Sequence, residues 1–200
     1  MSNGRSVANS WDRAAVRSGS EEDAQLVERI RSRDLQAFER LYRNYHPRLT
    51  RFLLNLIGRP QMVEEVLNDT MLVVWNRPES YNGNSKLSTW LFAIAYRKAM
   101  KALRRHDDPI EDPLAETRAS LEAGPEQQLG DRQVQEVLAS AISELSADHR
   151  AVVDLTYFHE IGYREIAEIM NCPVDTVKTR MFHARRNLKR LMSGRLADWL

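Results

Sequence analysis

One cysteine in 200 residues, Cys172, leaves no partner for an internal disulfide and fits a reducing cytoplasm. Long apolar runs are missing as well: none approaches the ~18–20 residues that a bilayer span needs. The first twenty residues, MSNGRSVANSWDRAAVRSGS, lack the apolar stretch of a signal peptide. A cytoplasmic protein without membrane insertion is therefore expected. No glycine-rich loop cradles a phosphate and no Gly-x-Ser-x-Gly elbow is present, so the sequence offers no nucleotide-binding or hydrolase signature. His159-Glu160 begins an HExxH zinc-protease pattern, but Tyr163 stands where the second histidine must be. His46, His106, His149, His159 and His183 show no ligand spacing with Cys172, which argues against a metal. No catalytic residue, metal or cofactor is expected, and the chain does not read as an enzyme.

Net charge is also scarce, only +1, which at first argues against a polyanionic partner. The distribution reverses that impression. From Arg97 to Arg105 there are five cations (Arg97, Lys98, Lys101, Arg104, Arg105) and no acid. From His106 to Asp131 eight acids face one arginine, a net of −7, and the C-terminal part is basic again. Two basic surfaces hide in the average, the footprint of a chain that meets nucleic acid.

Apolar residues recur at helical spacing and no segment alternates as a strand does, so the fold class expected is all-α. Residues 1–20 are polar and read as a disordered tail. Ser20 with Asp23 reads as a capping pair before a helix striped by Leu26, Val27 and Ile30. Asp34 opens a second helix, with Phe38, Leu41 and Tyr45, expected to end near Pro47. A third carries Phe52, Leu53, Leu56 and Ile57 and stops at Gly58. A fourth starts at Pro60 and runs through Val63, Val66, Leu67, Met71, Val74 and Trp75 to Pro78. After the turn-rich Tyr81-Asn82-Gly83-Asn84-Ser85, a fifth holds Trp90, Leu91, Ile94, Ala95 and Met100. The acidic segment, with Pro109, Pro113, Gly124, Pro125 and Gly130, reads as a flexible linker. Beyond it Val134, Leu138, Ala141, Ile142 and Leu145 form one stripe. Ser146 then caps a helix with Val152, Val153, Leu155 and Phe158, expected to end at Gly162. The organisation expected is a tail (1–20), a helical domain (21–105), the linker (106–131), a second helical domain (132–192) and a short tail (193–200).

The most informative stretch is YREIAEIMNCPVDTVKTRMFHARRNLKRLM, Tyr163–Met192. Ile166, Ala167 and Met170 share one face of a short helix. Asn171-Cys172-Pro173 breaks it, since asparagine tolerates the left-handed conformation and proline can open the next helix. Val177, Met181, Ala184, Leu188 and Leu191 then follow at helical spacing among Lys178, Arg180, Arg185, Arg186, Lys189 and Arg190, with Asp175 the only acid. A short helix, a tight turn and a basic second helix form a helix-turn-helix, whose second helix enters the DNA major groove.

These residues together resemble a bacterial sigma factor of the sigma-70 family, extracytoplasmic-function (ECF) group, over about Asp23 to Leu191. The resemblance rests on LVERIRSRDLQAFERLYRNY, VEEVLNDTMLVVWNR and LSTWLFAIAYRKAMKALRR in the N-terminal half. In the C-terminal half it rests on ISELSADHRAVVDLTYFHEIGYREIAEIMNCPVDTVKTRMFHARRNLKRL. It implies two conserved regions, the second and the fourth, joined by a linker. It also implies a protein that binds core RNA polymerase, at its largest-subunit clamp coiled coil and its flap, and directs it to promoter DNA. A cognate anti-sigma factor and a monomeric free state are implied too. The other reading of the residues is a free-standing helix-turn-helix regulator, which would need no polymerase and would dimerise on paired half-sites.

Three surfaces follow from the resemblance. Glu64, Glu65, Asn68 and Asp69 would face the polymerase, with Leu72 and Trp75 giving apolar contact and Met71 and Val74 in the core. Loop Tyr81–Lys86 and helix Leu87–Arg105 would read the −10 element: Asn82, Asn84, Ser85 and Lys86 by hydrogen bonds to a flipped base, Arg97, Lys98, Lys101, Arg104 and Arg105 by holding phosphates. Trp90 is placed in the core rather than on a base. Arg97 stands where an asparagine is common in this family. The helix from Val174 would read the −35 element, with Lys178 and Arg180 toward bases, Thr176 and Thr179 toward phosphate or a thymine methyl, and Arg185, Arg186 and Lys189 on the backbone. Asp175 replaces the usual glycine; it suits the helix dipole but repels phosphate unless a cation pairs with it. Cys172 is expected to be a small apolar plug. The −7 linker either mimics RNA in the polymerase channel or is a plain solvated tether.

Overall fold

The computed structural model describes residues 22–107 and 137–197, with side chains for 22–106 and 137–193. The expected N-terminal tail, the linker from residue 108 onward, Val134 and residues 198–200 lie outside the described residues. Among the described residues nine elements follow in order: α1 (22–31), α2 (Leu35–Ile57), α3 (Pro60–Asn76), a 3-10 turn (Pro78–Ser80), α4 (Leu87–Asp107), α5 (137–143), α6 (Ala147–Tyr157), α7 (Tyr163–Met170) and α8 (Val174–Ala197). There is no strand among the described residues, and none of these helices is long and apolar enough to cross a membrane.

Asp34 starts α2 by accepting the backbone N–H groups of Gln36 (2.9 Å) and Ala37 (3.2 Å). Hydrogen bonding from Arg29, 2.7 Å away, holds its carboxyl below the usual carboxylate range. The two helices expected either side of Pro47 are one: α2 passes straight through it. Pro47 and Arg43 are both exposed, so water can satisfy the Arg43 carbonyl that a proline at position 47 leaves without its donor. Leu41, Leu49, Phe52 and Leu53, all at 0 % exposure, hold the two halves of the helix to one core. Each such side chain contributes roughly 1.5–3 kcal/mol by burial, enough to offset one lost bond. Gly58, at φ 74°, closes α2 through its N–H to Leu54 O (2.9 Å), and Pro60 opens α3.

Ser20, the other half of the capping pair expected with Asp23, lies outside the described residues. The Asp23 carboxylate lies against the backbone N–H of Leu87, the first residue of α4, and burial raises its pKa. α4 is thereby fixed at its N-terminus by α1, a contact across 64 residues that no local pattern announces. α1 to α4 close around Phe52, Phe92, Leu87 and Leu91, all fully buried.

In the C-terminal half Ser146 accepts the His149 N–H at 3.4 Å and starts α6. The helix ends at Tyr157, before the expected Gly162, because the chain turns at Glu160 (φ 53°) with the Ile161 N–H on Leu155 O (2.9 Å). Gly162 is the N-cap of α7. α7 ends in a Schellman motif: Asn171 is left-handed (φ 50°, ψ 54°), its N–H reaches Glu168 O (3.2 Å), and the Cys172 N–H reaches Ala167 O (3.0 Å). Asn171→Val is expected to lower stability by about 1–2 kcal/mol, since a β-branched residue resists this conformation, while Asn171→Gly should be tolerated. Thermal melts of the two variants check this. Equal melting temperatures would show that the turn does not depend on residue 171. α8 runs on to Ala197, so most of the tail expected from residue 193 is helical.

The two halves are not separate in this structure. α6 lies against α2 and α7 against α4, and their buried residues form one continuous core.

Candidate nucleic-acid and polymerase interfaces

On α3 the apolar positions Val63, Val66, Leu67, Met71 and Val74 turn inward, leaving Glu64, Glu65, Asn68 and Leu72 on one solvent-facing strip. Leu72 is 55 % exposed, high for a leucine inside a helix. The other two residues considered for this surface sit at its edge and are already engaged. Asp69 meets Lys98 at 2.9 Å. Trp75 stands edge-on to Phe38 (5.1 Å) beneath the Arg33 guanidinium (5.4 Å).

The loop between the 3-10 turn and α4 is pinned from two sides. Tyr81 is buried; its hydroxyl donates to Ser85 O (2.9 Å) and its carbonyl accepts from Arg31 (2.8 Å). Asn82 closes the tip by accepting the Asn84 N–H (3.0 Å), and Gly83 takes the positive φ of 74° that the turn requires. Asn82 and Asn84 are exposed, Ser85 partly so. Trp90 packs half-buried on Tyr81, with ring centroids 5.4 Å apart, and belongs to the core margin. Further along α4, Arg97, Lys101, Arg104 and Arg105 recur at i, i+4, i+7 and i+8 on a solvent-facing stripe. They carry no ion pair among the described residues. Lys98 lies beside the stripe, held by Asp69.

α8 buries Val177, Met181 and Ala184 against α7 and α6. Its outer face presents Asp175, Lys178, Thr179, Phe182, Arg186 and Lys189. Asp175 is paired with Lys178 (2.9 Å), whose hydrogen bond lowers its pKa, so its charge is offset before any phosphate approaches. The Thr179 hydroxyl is turned back onto Asp175 O (2.9 Å). Thr176 lines a shallow groove of about 310 Å³ with His149, Asp175, Thr179, Arg180 and His183. Burial, then the neighbouring His183, depresses the His149 pKa. Arg180, considered for base reading, is half-buried and ion-paired with Asp148, its Nη1 3.7 Å from Cys172 Sγ. Arg185 donates to the Tyr157 hydroxyl (3.0 Å). Cys172 packs partly buried against the core.

Phe182, 63 % exposed, was missed by sequence reasoning. Its spacing from Lys178 and Thr179 already placed it on that outer face. Thr89 and Tyr96 were missed as well, and no local signal marks them, because their partners lie on the other half of the chain. The Thr89 hydroxyl donates to Glu165 (3.2 Å), which also holds Lys86 (2.7 Å). The Tyr96 hydroxyl donates to Asp148 (2.6 Å), and burial followed by that carboxylate raises its pKa. Asn55 donates to the buried Asp154 (2.5 Å). His159 sits against Phe92 (4.7 Å) and Phe52 (6.2 Å), 3.2 Å from Asp154 but out of line for a hydrogen bond.

Comparison with known proteins bears on what these surfaces serve. The Sigma-70 region 2 family matches residues 41–108, and the Sigma-70, region 4 family matches residues 135–188. The ECF RNA polymerase sigma-E factor of Escherichia coli K12 is 30 % identical over 173 residues, covering 82 % of this chain and 90 % of its own. The chain belongs to the ECF sigma factors. The sigma-E factor of Haemophilus influenzae is 29 % identical over 177 residues, covering 84 % of this chain and 93 % of its own. Among solved structures, the sigma factor RpoE of Bartonella quintana, in complex with the anti-sigma factor NepR, superposes with a TM-score of 0.63. The two are 25 % identical, over 80 % of this chain and 98 % of that one. This sigma factor binds core RNA polymerase and directs it to promoters for transcription initiation. No catalytic family is indicated by these matches.

Proposed function

We propose that the labour of this sigma factor is divided among three faces. Glu64, Glu65, Asn68, Asp69, Leu72 and Trp75 on α3 dock on the clamp coiled coil of the polymerase. The Tyr81–Lys86 loop and the α4 cations read and hold the melted −10 element, and the outer face of α8 reads the −35 element. The observation that carries this is the stripe Arg97, Lys101, Arg104 and Arg105, which continues from a pinned loop of exposed amides. A strand leaving the duplex at that loop would meet hydrogen-bonding groups first and phosphate-binding cations next. On α8 the inward turn of Arg180 moves the burden of base reading to Lys178, Thr176 and Thr179, with Arg186 and Lys189 on the backbone. The working boundaries are region 2 over 21–105 and region 4 over 132–192. The protein acts in the cytoplasm, and all catalysis belongs to the polymerase.

Run-off transcription with core polymerase on a random promoter library tests the reading. Transcripts are expected only when the protein is added, from templates sharing −35 and −10 elements. No transcript and no core binding, with tight binding to a palindromic duplex, would favour a free-standing regulator. A cognate anti-sigma factor is also proposed, supported by the NepR-bound relative. Extract from uninduced host cells should then silence the reaction, and an undiminished transcript counts against that partner.

A further inference from the structure

Two imidazoles face each other beside the −35 reader and have no task in the roles assigned above. His149 stands in the first turn of α6 and His183 midway along α8, their ring centroids 6.5 Å apart. Both line the shallow groove that Asp175, Thr176, Thr179 and Arg180 complete. Neither ring makes a hydrogen bond or an ion pair among the described residues; His183 meets the Phe182 ring edge-on at 5.5 Å. The acids around the pair are already engaged. Asp148, beside His149 on α6, is held by Arg180 and by Tyr96 of α4, and Asp175 pairs with Lys178 at 2.9 Å. Arg186, one turn beyond His183, is exposed and carries no ion pair among the described residues. α2 and α7, which also pack on these helices, add no residue to the groove's lining among the described residues.

Position on α8 decides what would pass over this groove. Thr176 and His183 lie roughly 100° round the helix from the face of Lys178, Phe182 and Arg186. A helix about 10–12 Å thick fills a major groove about 12 Å wide. When its outer face meets base edges, its flanks therefore meet the strands that border the groove. The flank with Thr176 and His183 is the one that α6 adjoins, so His149 comes to the same backbone from a second helix. Rings this close let one phosphate, seated above the gap, accept a hydrogen bond from each. The Thr176 hydroxyl is a third donor on the rim, and the first-turn N–H groups of α6 add partial positive charge.

We propose that this groove seats a backbone phosphate of the −35 element, and that His149 and His183 take up protons as they bind it. The seat deepens the −35 role given above to α8 and rests on it. Histidine is the side chain whose charge ordinarily changes between about pH 5 and pH 8. In the free chain burial, then the neighbouring His183, holds His149 below its ordinary pKa. A phosphate sets an attraction against those penalties and raises the value, so DNA binding takes up protons. Affinity for the −35 element thus rises as pH falls from the raised value in the complex to the depressed one in the free chain, and levels off below it. Promoter recognition thereby responds to pH through two side chains of the sigma factor itself.

The test uses holoenzyme made with full-length chain and a fluorescein-labelled duplex carrying the −35 element of a promoter selected by run-off. Between about pH 8 and about pH 6, wild type should gain roughly tenfold more affinity than the double variant His149→Gln with His183→Gln. Each single variant should lose roughly threefold of that gain. His183→Arg, charged throughout, should bind roughly threefold more tightly than wild type at the higher pH and respond less to the change. Each protein is compared with itself at two pH values, so a partly inactive preparation does not imitate the result. Duplexes with one neutral methylphosphonate at successive positions then locate the phosphate. At one position the substitution should remove the extra pH response of wild type and change nothing further in the double variant. The same pH response in wild type and double variant overturns the seat, as does a loss in the double variant that is equal at both pH values. A methylphosphonate series in which no position stands out overturns it too. Lys178→Gln with Arg186→Gln separates the two readings. If that pair binds the duplex as wild type does, α8 is not the −35 reader and the seat falls with it. If the pair is weakened while the histidine variants keep the wild-type pH response, the reader stands and only the seat falls.

Discussion

Holoenzyme carrying glutamine at Arg97, Lys101, Arg104 and Arg105 is expected to bind melted promoter DNA on the order of a hundredfold more weakly at ~0.15 M salt. The figure follows from counterion release. Each phosphate neutralised on a single strand contributes about 0.7 to the slope of log affinity against log salt, so four cations contribute about 3. At ~0.15 M that slope corresponds to slightly more than two decades of affinity. The four residues are exposed and carry no ion pair among the described residues, so their loss should cost the fold little, within about 0.5 kcal/mol each. Binding to a −10 fork probe across a salt series, with run-off transcription alongside, measures both quantities. An affinity within fivefold of wild type and an unchanged slope would remove the stripe from the DNA interface. A loss confined to core binding would move it to the polymerase.

Phe92→Ala should have the largest effect on stability, about 3–5 kcal/mol. The ring is fully buried, edge-on to Phe52 at 5.3 Å, and receives His159 of the other half at 4.7 Å. Truncation therefore empties a site bounded by two helices of region 2 and one loop of region 4, which cannot all collapse into it together. For a chain of this size the midpoint should fall by roughly 10–15 °C. Phe92→Leu keeps most of the volume and should lose less than half as much. A loss below 1 kcal/mol for the alanine variant would mean that the ring is not the keystone its burial indicates.

The helices were legible because their apolar residues recur at the helical period and their ends carry punctuation: Asp34, Gly58, Pro60, Ser146 and Asn171 all do locally what their chemistry suggests. Pro47 misled because local sequence says nothing of how much burial supports a helix on either side of a missing bond. Gly162 misled because a glycine near a helix end serves a C-terminus or an N-cap equally well. Asp23 and Glu165 look locally like ordinary first-turn acids, yet each reaches α4 across a long separation. Charge blocks announced that cations exist on α4 and α8. They could not announce which are already held by Asp69 or Asp148, since each of those partners is set by tertiary structure. The inward turn of Arg180 was only half visible: its position beside Val177 and Ala184 takes it off the outer face, but its partner Asp148 is 32 residues away.

The length of the α4 stripe sets a scale for strand capture. From Arg97 to Arg105 the helix advances eight residues, about 12 Å at 1.5 Å per residue. Stacked nucleotides repeat every 3.4 Å along a strand, so these four cations span three or four of them and no more. On the role proposed for this stripe, the sigma factor would grip melted DNA as a short clasp rather than along a track. Everything downstream of that clasp would then have to be kept open by the polymerase, and the extent of the bubble would be a property of the enzyme rather than of the subunit that begins it.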